Sequence, residues 1–208
     1  MVKIFAALSL LFLASCAEIP KTELFDSNVK ITLSNGKSHG SGTYIGNGYF
    51  LTAGHVITDD EKFVIETKEG QFFEGEKIWS NMKYDVGLIH VDTKIDNLQI
   101  HNIDCRLPVI GEEITTVGSP YFLSFVETKG TVTLEKVDKI GPWNEVFVSD
   151  ITALPGNSGG PVFDKEGDVI GIIVGLTGAE NPQTGMIMPI GFTYIVPSTT
   201  ICKLMNIS

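Results

Sequence analysis

Every histidine of this chain, at positions 39, 55, 90 and 101, precedes Ser158. Ser158 sits in Leu-Pro-Gly-Asn-Ser-Gly-Gly-Pro (154–161), where glycines let the backbone bend sharply and let a second chain approach closely. An attacking side chain is presented in this way. Residues 156–160 also satisfy the G-x-S-x-G pattern of α/β-hydrolase elbows, but that architecture needs its histidine after the serine, and none follows. An Asp-His-Ser order could nominate Asp26, yet it requires a parallel sheet with crossover helices, and the apolar segments here have strand length. The order that remains is His55, Asp85, Ser158 on antiparallel strands.

Strand-like alternation begins at Val29–Leu33, and further candidate strands run over 42–45, 49–52, 63–66, 71–79 and 86–91. Together they predict a first sheet closing into a barrel. Residues 92–107 lack clear periodicity and cross to a second set at 113–117, 124–134, 146–148, 161–163, 169–174 and 190–196. The expected fold class is all-β: two antiparallel six-stranded β-barrels, about 28–105 and 106–197, with a cleft between them. His55 and Asp85 belong to the first and Ser158 to the second. Apolar Ile201, Leu204 and Met205 with polar residues between them predict a short C-terminal helix over 198–206.

At 208 residues and 43% hydrophobic content the chain can bury a sizeable core as one unit, 28–208. The net charge is −10 and the basic residues are scattered singly. No basic stripe exists for a phosphate backbone, so nucleic acid is not an expected partner. The N-terminus reads as a targeting segment: Lys3, an apolar run from Ile4 to Leu13, then small residues leading to Cys16. It is too short to span as a transmembrane helix. Leu13-Ala14-Ser15-Cys16 resembles the bacterial lipobox, which implies a signal peptide over 1–15, diacylglycerol on Cys16, and a lipidated tether over 16–27. Ala17 after the cysteine resembles outer-membrane sorting, so the expectation is an envelope lipoprotein of the outer membrane facing the periplasm. A plain secretory signal cut near Ala17, giving a secreted or soluble periplasmic protein, is the alternative. No Cys-x-x-Cys exists and the histidines are isolated, so neither a metal nor a cofactor is expected. Cys105 and Cys202 could be bridged in an oxidising compartment or could stay as two buried thiols.

A serine hydroxyl is a poor nucleophile until a neutral imidazole takes its proton, and the imidazole must be held in one tautomer by an acceptor on its other nitrogen. His55 in Leu-Thr-Ala-Gly-His-Val and Asp85 in Tyr-Asp-Val-Gly-Leu-Ile fit those roles. Seven other aspartates lie between His55 and Ser158, six in polar or turn-like surroundings and Asp150 just before the serine loop. Asp85 alone opens an apolar strand. An isolated aspartate is more often a solvated surface group; the order of three motifs is what singles this one out. The N–H groups of Gly156 and Ser158 can point at the oxyanion formed on attack, where one such donor is worth about 3 kcal/mol.

Gly40-Ser41-Gly42-Thr43, Gly48-Tyr49-Phe50-Leu51-Thr52-Ala53-Gly54-His55-Val56, Tyr84-Asp85-Val86-Gly87-Leu88-Ile89, Pro155-Gly156-Asn157-Ser158-Gly159-Gly160-Pro161 and Ile190-Gly191-Phe192 together resemble the trypsin-like serine proteases. Within these the resemblance is to the high-temperature-requirement branch of bacterial envelopes, over about 28–205. It implies a chymotrypsin-like double barrel, serine endopeptidase activity through an acyl-enzyme, and protein or peptide substrates. It also implies a specificity pocket with Thr152 at the floor and Ala153, Val174, Gly175, Leu176 and Gly191 as walls. No carboxylate stands at that floor, so cleavage is expected after small or medium aliphatic residues in unfolded or extended segments. Asp150 is the residue that could overturn this by aiming into the pocket. Cys105 and Cys202 fall in elements that pack near each other in that fold.

The departures are as informative. The PDZ domain that follows the protease in this branch is not expected in a chain that stops at Ser208, nor is that branch's trimeric and PDZ-controlled behaviour expected to carry over. Asn157 stands where digestive relatives have an aspartate that pairs with a newly cut N-terminus. A latent or non-catalytic trypsin-like binding module is the competing expectation.

Overall fold

In the computed structural model, residues 23–34, 36, 38–58, 61–185 and 187–207 are described. The stretch 1–15, expected to be a signal peptide, and Cys16 lie outside them. Among the described residues no helix is long and apolar enough to cross a membrane.

Six strands, β1 (Asn28–Leu33), β2 (His39–Gly46), β3 (Tyr49–Thr52), β4 (Lys62–Thr67), β5 (Phe72–Asn81) and β6 (Val86–His90), close into a barrel in the order β1-β2-β3-β6-β5-β4. Every pairing is antiparallel. Alternation sets the register. In β4, Phe63 and Ile65 turn into the core while Lys62 and Val64 face out, because successive side chains of a strand point to opposite faces. A second closed barrel follows from β7 (Glu113–Gly118), β8 (Val126–Ile140), β9 (Trp143–Ser149), β10 (Pro161–Phe163), β11 (Val169–Glu180) and β12 (Ile187–Pro197), in the order β10-β11-β12-β9-β8-β7. The helix α1 spans Ser198–Met205 and buries Ile201 and Cys202. The all-β double barrel with its terminal helix is the expected architecture.

Two features differ from expectation. The last part of the segment assigned to a tether is docked: Glu23–Ser27 forms a 3-10 turn, with Leu24 and Phe25 packed on Val117, Phe163 and Val169 of the second barrel. Apolar side chains that can reach a core do not stay in water. The hairpins β8–β9 and β11–β12 also run further than their apolar runs. The extra residues, such as Glu135, Asp138 and Glu180, are held by ladder hydrogen bonds in ribbons that project past the barrel, where polar side chains cost nothing.

The barrels meet along β2 and β7, where the buried Asn28 donates to the Gly42 carbonyl at 3.1 Å and the Val117 carbonyl at 2.8 Å. Cys105, in the crossover, is bonded to Cys202 of α1, with Cα atoms 6.0 Å apart. This settles in favour of the bridge the choice the sequence left open.

Beside the bridge, Arg106 donates to Asp104 at 2.7 Å and Asp164 at 2.9 Å, and both terminal nitrogens reach Glu112. Asp104, Asp164 and Asp168 converge there, and the guanidinium pairs with the first two. Hydrogen bonds from Arg106 hold the Glu112 carboxyl below its ordinary range, against the opposing effect of burial. Burial, with Asp164 next, pushes Asp168 up. A carboxyl depressed in the folded state stabilises above its unfolded value, about 4.3, and loses that contribution as pH falls through its folded value. Glu112→Gln should therefore cost about 1 to 2 kcal/mol at neutral pH, less than a fully buried pair because Arg106 is 35% exposed. The deficit should shrink on acidification below pH about 4; a deficit constant across that range in denaturant titrations would contradict it.

Candidate active site

β3 is flanked by β2 and β6. After Thr52 the chain leaves the barrel through Ala53 into a 3-10 turn, Gly54–Ile57, whose Val56 and Ile57 are buried. His55 is the exposed residue of that turn. Asp85 ends the β5–β6 connection in a left-handed conformation, φ 58°. That turn is shaped by the Asn81 side chain, which accepts from the N–H groups of Lys83 at 3.1 Å and Tyr84 at 3.3 Å.

The two residues meet twice. His55 Nδ1 lies 2.7 Å from Asp85 Oδ2, and the backbone N–H of His55 donates to Oδ1 at 2.8 Å. Because a carboxylate only accepts, the ring proton sits on Nδ1 and Nε2 is left free. The Asp85 side chain is 10% exposed and that of His55 41%, so the carboxylate is shielded while the imidazole faces the cleft.

Ser158 comes from the second barrel but is seated on the first. Its carbonyl accepts from Ser41 N–H at 2.8 Å, and Ser41 Oγ donates to the Gly156 carbonyl at 2.8 Å while accepting from Ser119 N–H at 2.9 Å. Gly159 has φ +83°, and any Cβ there would collide with Thr52 Oγ1 and the Ser41 carbonyl. That close approach explains the glycine. The seat lies in β2, at the Gly-Ser-Gly-Thr segment, whose Gly42 pairs with Thr52 at the end of β3 that feeds His55. Sequence reasoning noted this segment without giving it a role. Its signal was two glycines around a small hydroxyl side chain, the pattern of a backbone approached closely by another.

Residues 154–157 form a turn closed by Asn157 N–H to the Leu154 carbonyl at 2.9 Å. Pro155 stands second and Gly156 third with φ +103°, the residues a type II turn selects. Tyr121 N–H, in the β7–β8 connection, donates to the Pro155 carbonyl at 2.8 Å. Since the peptide is planar and trans, its N–H, that of Gly156, is aimed to the opposite side. Asn157 is 2% exposed and packed against Gly118, where an uncharged amide needs no counter-ion.

Of the residues assigned to a specificity pocket, Ala153 and Val174 are buried, Gly175 and Leu176 half-buried, and Thr152 and Gly191 exposed. The segment before the serine loop is pinned by Thr193 Oγ1 to the Ile151 carbonyl at 2.6 Å and Thr128 Oγ1 to the Thr152 carbonyl at 3.0 Å. Asp150 is turned toward β8: Oδ1 accepts from Thr131 N–H at 2.5 Å and Oδ2 from Thr131 Oγ1 at 3.1 Å.

Residues 40–172 match the family model described as a trypsin-like peptidase domain. The chain is 27% identical over 165 residues to a probable periplasmic serine endoprotease DegP-like of Rhizobium meliloti, covering 78% of this chain and 32% of that protein. It is 32% identical over 142 residues to a protein of the same description from Halomonas elongata, covering 65% and 29%. It thus spans about a third of the length of these relatives. Among solved structures, the serine endoprotease from Yersinia pestis superposes with a TM-score of 0.73 at 25% identity, over 89% of this chain and 63% of that one. The HtrA-type protease AlgW with tripeptide has the same fold, with a TM-score of 0.78 at 20% identity, over 89% and 60%. With its double barrel, its His55–Asp85 pair and a family match running from β2 into β11, this chain belongs to the trypsin-like peptidase family.

Proposed function

We propose that this chain is a serine endopeptidase with Ser158 as nucleophile, His55 as general base and acid, and Asp85 as the group that holds the imidazole. The observation that carries the reading is the double contact between His55 and Asp85, which leaves Nε2 as the ring's one proton acceptor. In the forward step Ser158 Oγ attacks the scissile carbonyl carbon and its proton passes to Nε2. The carbonyl π electrons move to oxygen, and the oxyanion is taken by the N–H groups of Gly156 and Ser158. Collapse breaks the C–N bond, the imidazolium returns its proton to the leaving amine, and water repeats the cycle on the acyl-enzyme.

The type II turn and the Tyr121 contact support Gly156 as an oxyanion donor. Specificity for small or medium aliphatic residues is supported by Asp150 being engaged with Thr131 and by the uncharged Thr152, Ala153, Val174, Gly175, Leu176 and Gly191. An arginine or lysine there would be buried without a partner. Protein or peptide substrates in extended form suit the open edge of β11. The DegP-like relatives are described as periplasmic, which supports an envelope location. Attachment through a lipid on Cys16 is the finer reading, and Cys16→Ala should then move the protein from the washed membrane to the soluble fraction.

The test of the reading is covalent. A fluorophosphonate should label the wild-type protein at Ser158, and Ser158→Ala should lose both labelling and hydrolysis of an unfolded protein substrate. Hydrolysis retained in Ser158→Ala would refute the mechanism.

A further inference from the structure

The β8–β9 hairpin reaches out of the second barrel and touches the first. At its tip, Asn144 Nδ2 donates to the Lys83 carbonyl at 2.7 Å, tying the hairpin across the cleft to the turn that carries Asp85. Its neighbour Trp143 lies on β11 over Gly175. Any Cβ at position 175 would collide with the indole, so the missing side chain is what gives the ring its seat. The indole also stacks on Tyr194, with centroids 4.8 Å apart and planes at 29°. Between the two tips is a cavity of about 320 Å³, walled by Met82, Lys83, Pro142, Trp143 and Val174 and open to the His55–Asp85 pair.

β11 also has a free edge beside this cavity. Among the described residues it pairs with β10 as far as Ile172 and Ile173 still bonds Gly159 and Gly160, so from Val174 onward its cleft-facing edge is available to an added strand, as sheet edges receive extended peptides. Side chains alternate along such a strand. If the residue contributing the scissile carbonyl turns toward Thr152 and Ala153, the residue preceding it turns the other way, toward His55 and the cavity.

We infer that Trp143 is a specificity-determining residue, supplied by the hairpin tip, that makes this cavity select an apolar side chain at the second position before the cleaved bond. The inference rests on Ser158 being the nucleophile. The walls supply a thioether, a pyrrolidine, a branched aliphatic group and an indole face, which favour desolvated carbon over charge. Among the described residues the cation at the rim is Lys83, which holds its ammonium over the Tyr84 ring at 4.8 Å. A carboxylate entering the cavity would leave water for an apolar wall.

The experiment is hydrolysis of a peptide series varied only at that second position, with fluorophosphonate labelling of Ser158 measured alongside. Wild type should prefer Leu or Phe over Ser or Asp there. In Trp143→Ala the preference should fall at least tenfold, mainly through KM, with Ser158 still labelling, whereas Trp143→Phe should keep most of it. Gly175→Ala, which displaces the indole without altering it, should reproduce the loss. Should Trp143→Ala not label, Trp143→Gln, which keeps bulk at the tip, gives the same comparison. An unchanged preference in a labelling variant overturns this inference alone. Wild-type protein that does not label overturns the nucleophile assignment, and this inference with it.

Discussion

Asp85→Asn should lower turnover on a peptide substrate by about 10⁴ while the fold stays intact. The size of the effect follows from the two contacts that Asp85 makes. Its Oδ1 accepts the backbone N–H of His55, and an asparagine would keep its carbonyl oxygen there because a buried N–H without an acceptor is costly. The amide nitrogen is then forced opposite Nδ1, where the carboxylate oxygen stood. A ring nitrogen facing an N–H donor must accept, so the proton moves to Nε2. With that nitrogen protonated, His55 cannot take the Ser158 proton. Thermal unfolding should change by only a few degrees, since shape and packing are preserved. Turnover within tenfold of wild type would refute the assignment of Asp85.

Loss of the Cys105–Cys202 bridge should be the largest single effect on stability. The bridge spans 97 residues of sequence, and closing a loop of that length removes about 4 to 5 kcal/mol of chain entropy from the unfolded state. For a domain of this size that corresponds to roughly 10 to 20 °C in midpoint. The bridge holds α1 to the crossover, where Ser198 Oγ also donates to the carbonyls of Asp104 at 2.5 Å and Arg106 at 3.1 Å. The double variant Cys105→Ala, Cys202→Ala should therefore unfold well below wild type, and reductant should lower the wild type toward the variant without moving the variant itself. Equal midpoints in oxidised wild type and double variant would contradict this.

Strand positions were legible because each barrel strand buries one face, so an alternating or continuous apolar run marks it. β3 and β10 have the bounds that their apolar residues indicate. Where a strand leaves the barrel that signal ends. Residues 135–140 of β8 and 177–180 of β11 are held in ribbons by ladder hydrogen bonds that any side chain permits, and polar composition conceals them. The docking of Leu24 and Phe25 was hidden for a related reason. Two apolar residues in a polar stretch find their partners on strands more than ninety residues away.

From its residues alone the chain determined two antiparallel barrels, the order of His55, Asp85 and Ser158, and the glycine turn around the serine. These are local matters: strand periodicity, turn chemistry and residue type are written in neighbouring positions. Tertiary structure decided what depends on distant segments meeting. It set the tautomer of His55 through the 30-residue step to Asp85, the seating of the serine loop on Ser41, the direction of the Asp150 carboxylate and the bridge between two cysteines. It also laid Trp143 over Gly175. A hydrogen bond or a ring contact exists only when two groups reach a few ångströms of each other, and no spacing along a chain specifies that for segments joined through two closed barrels.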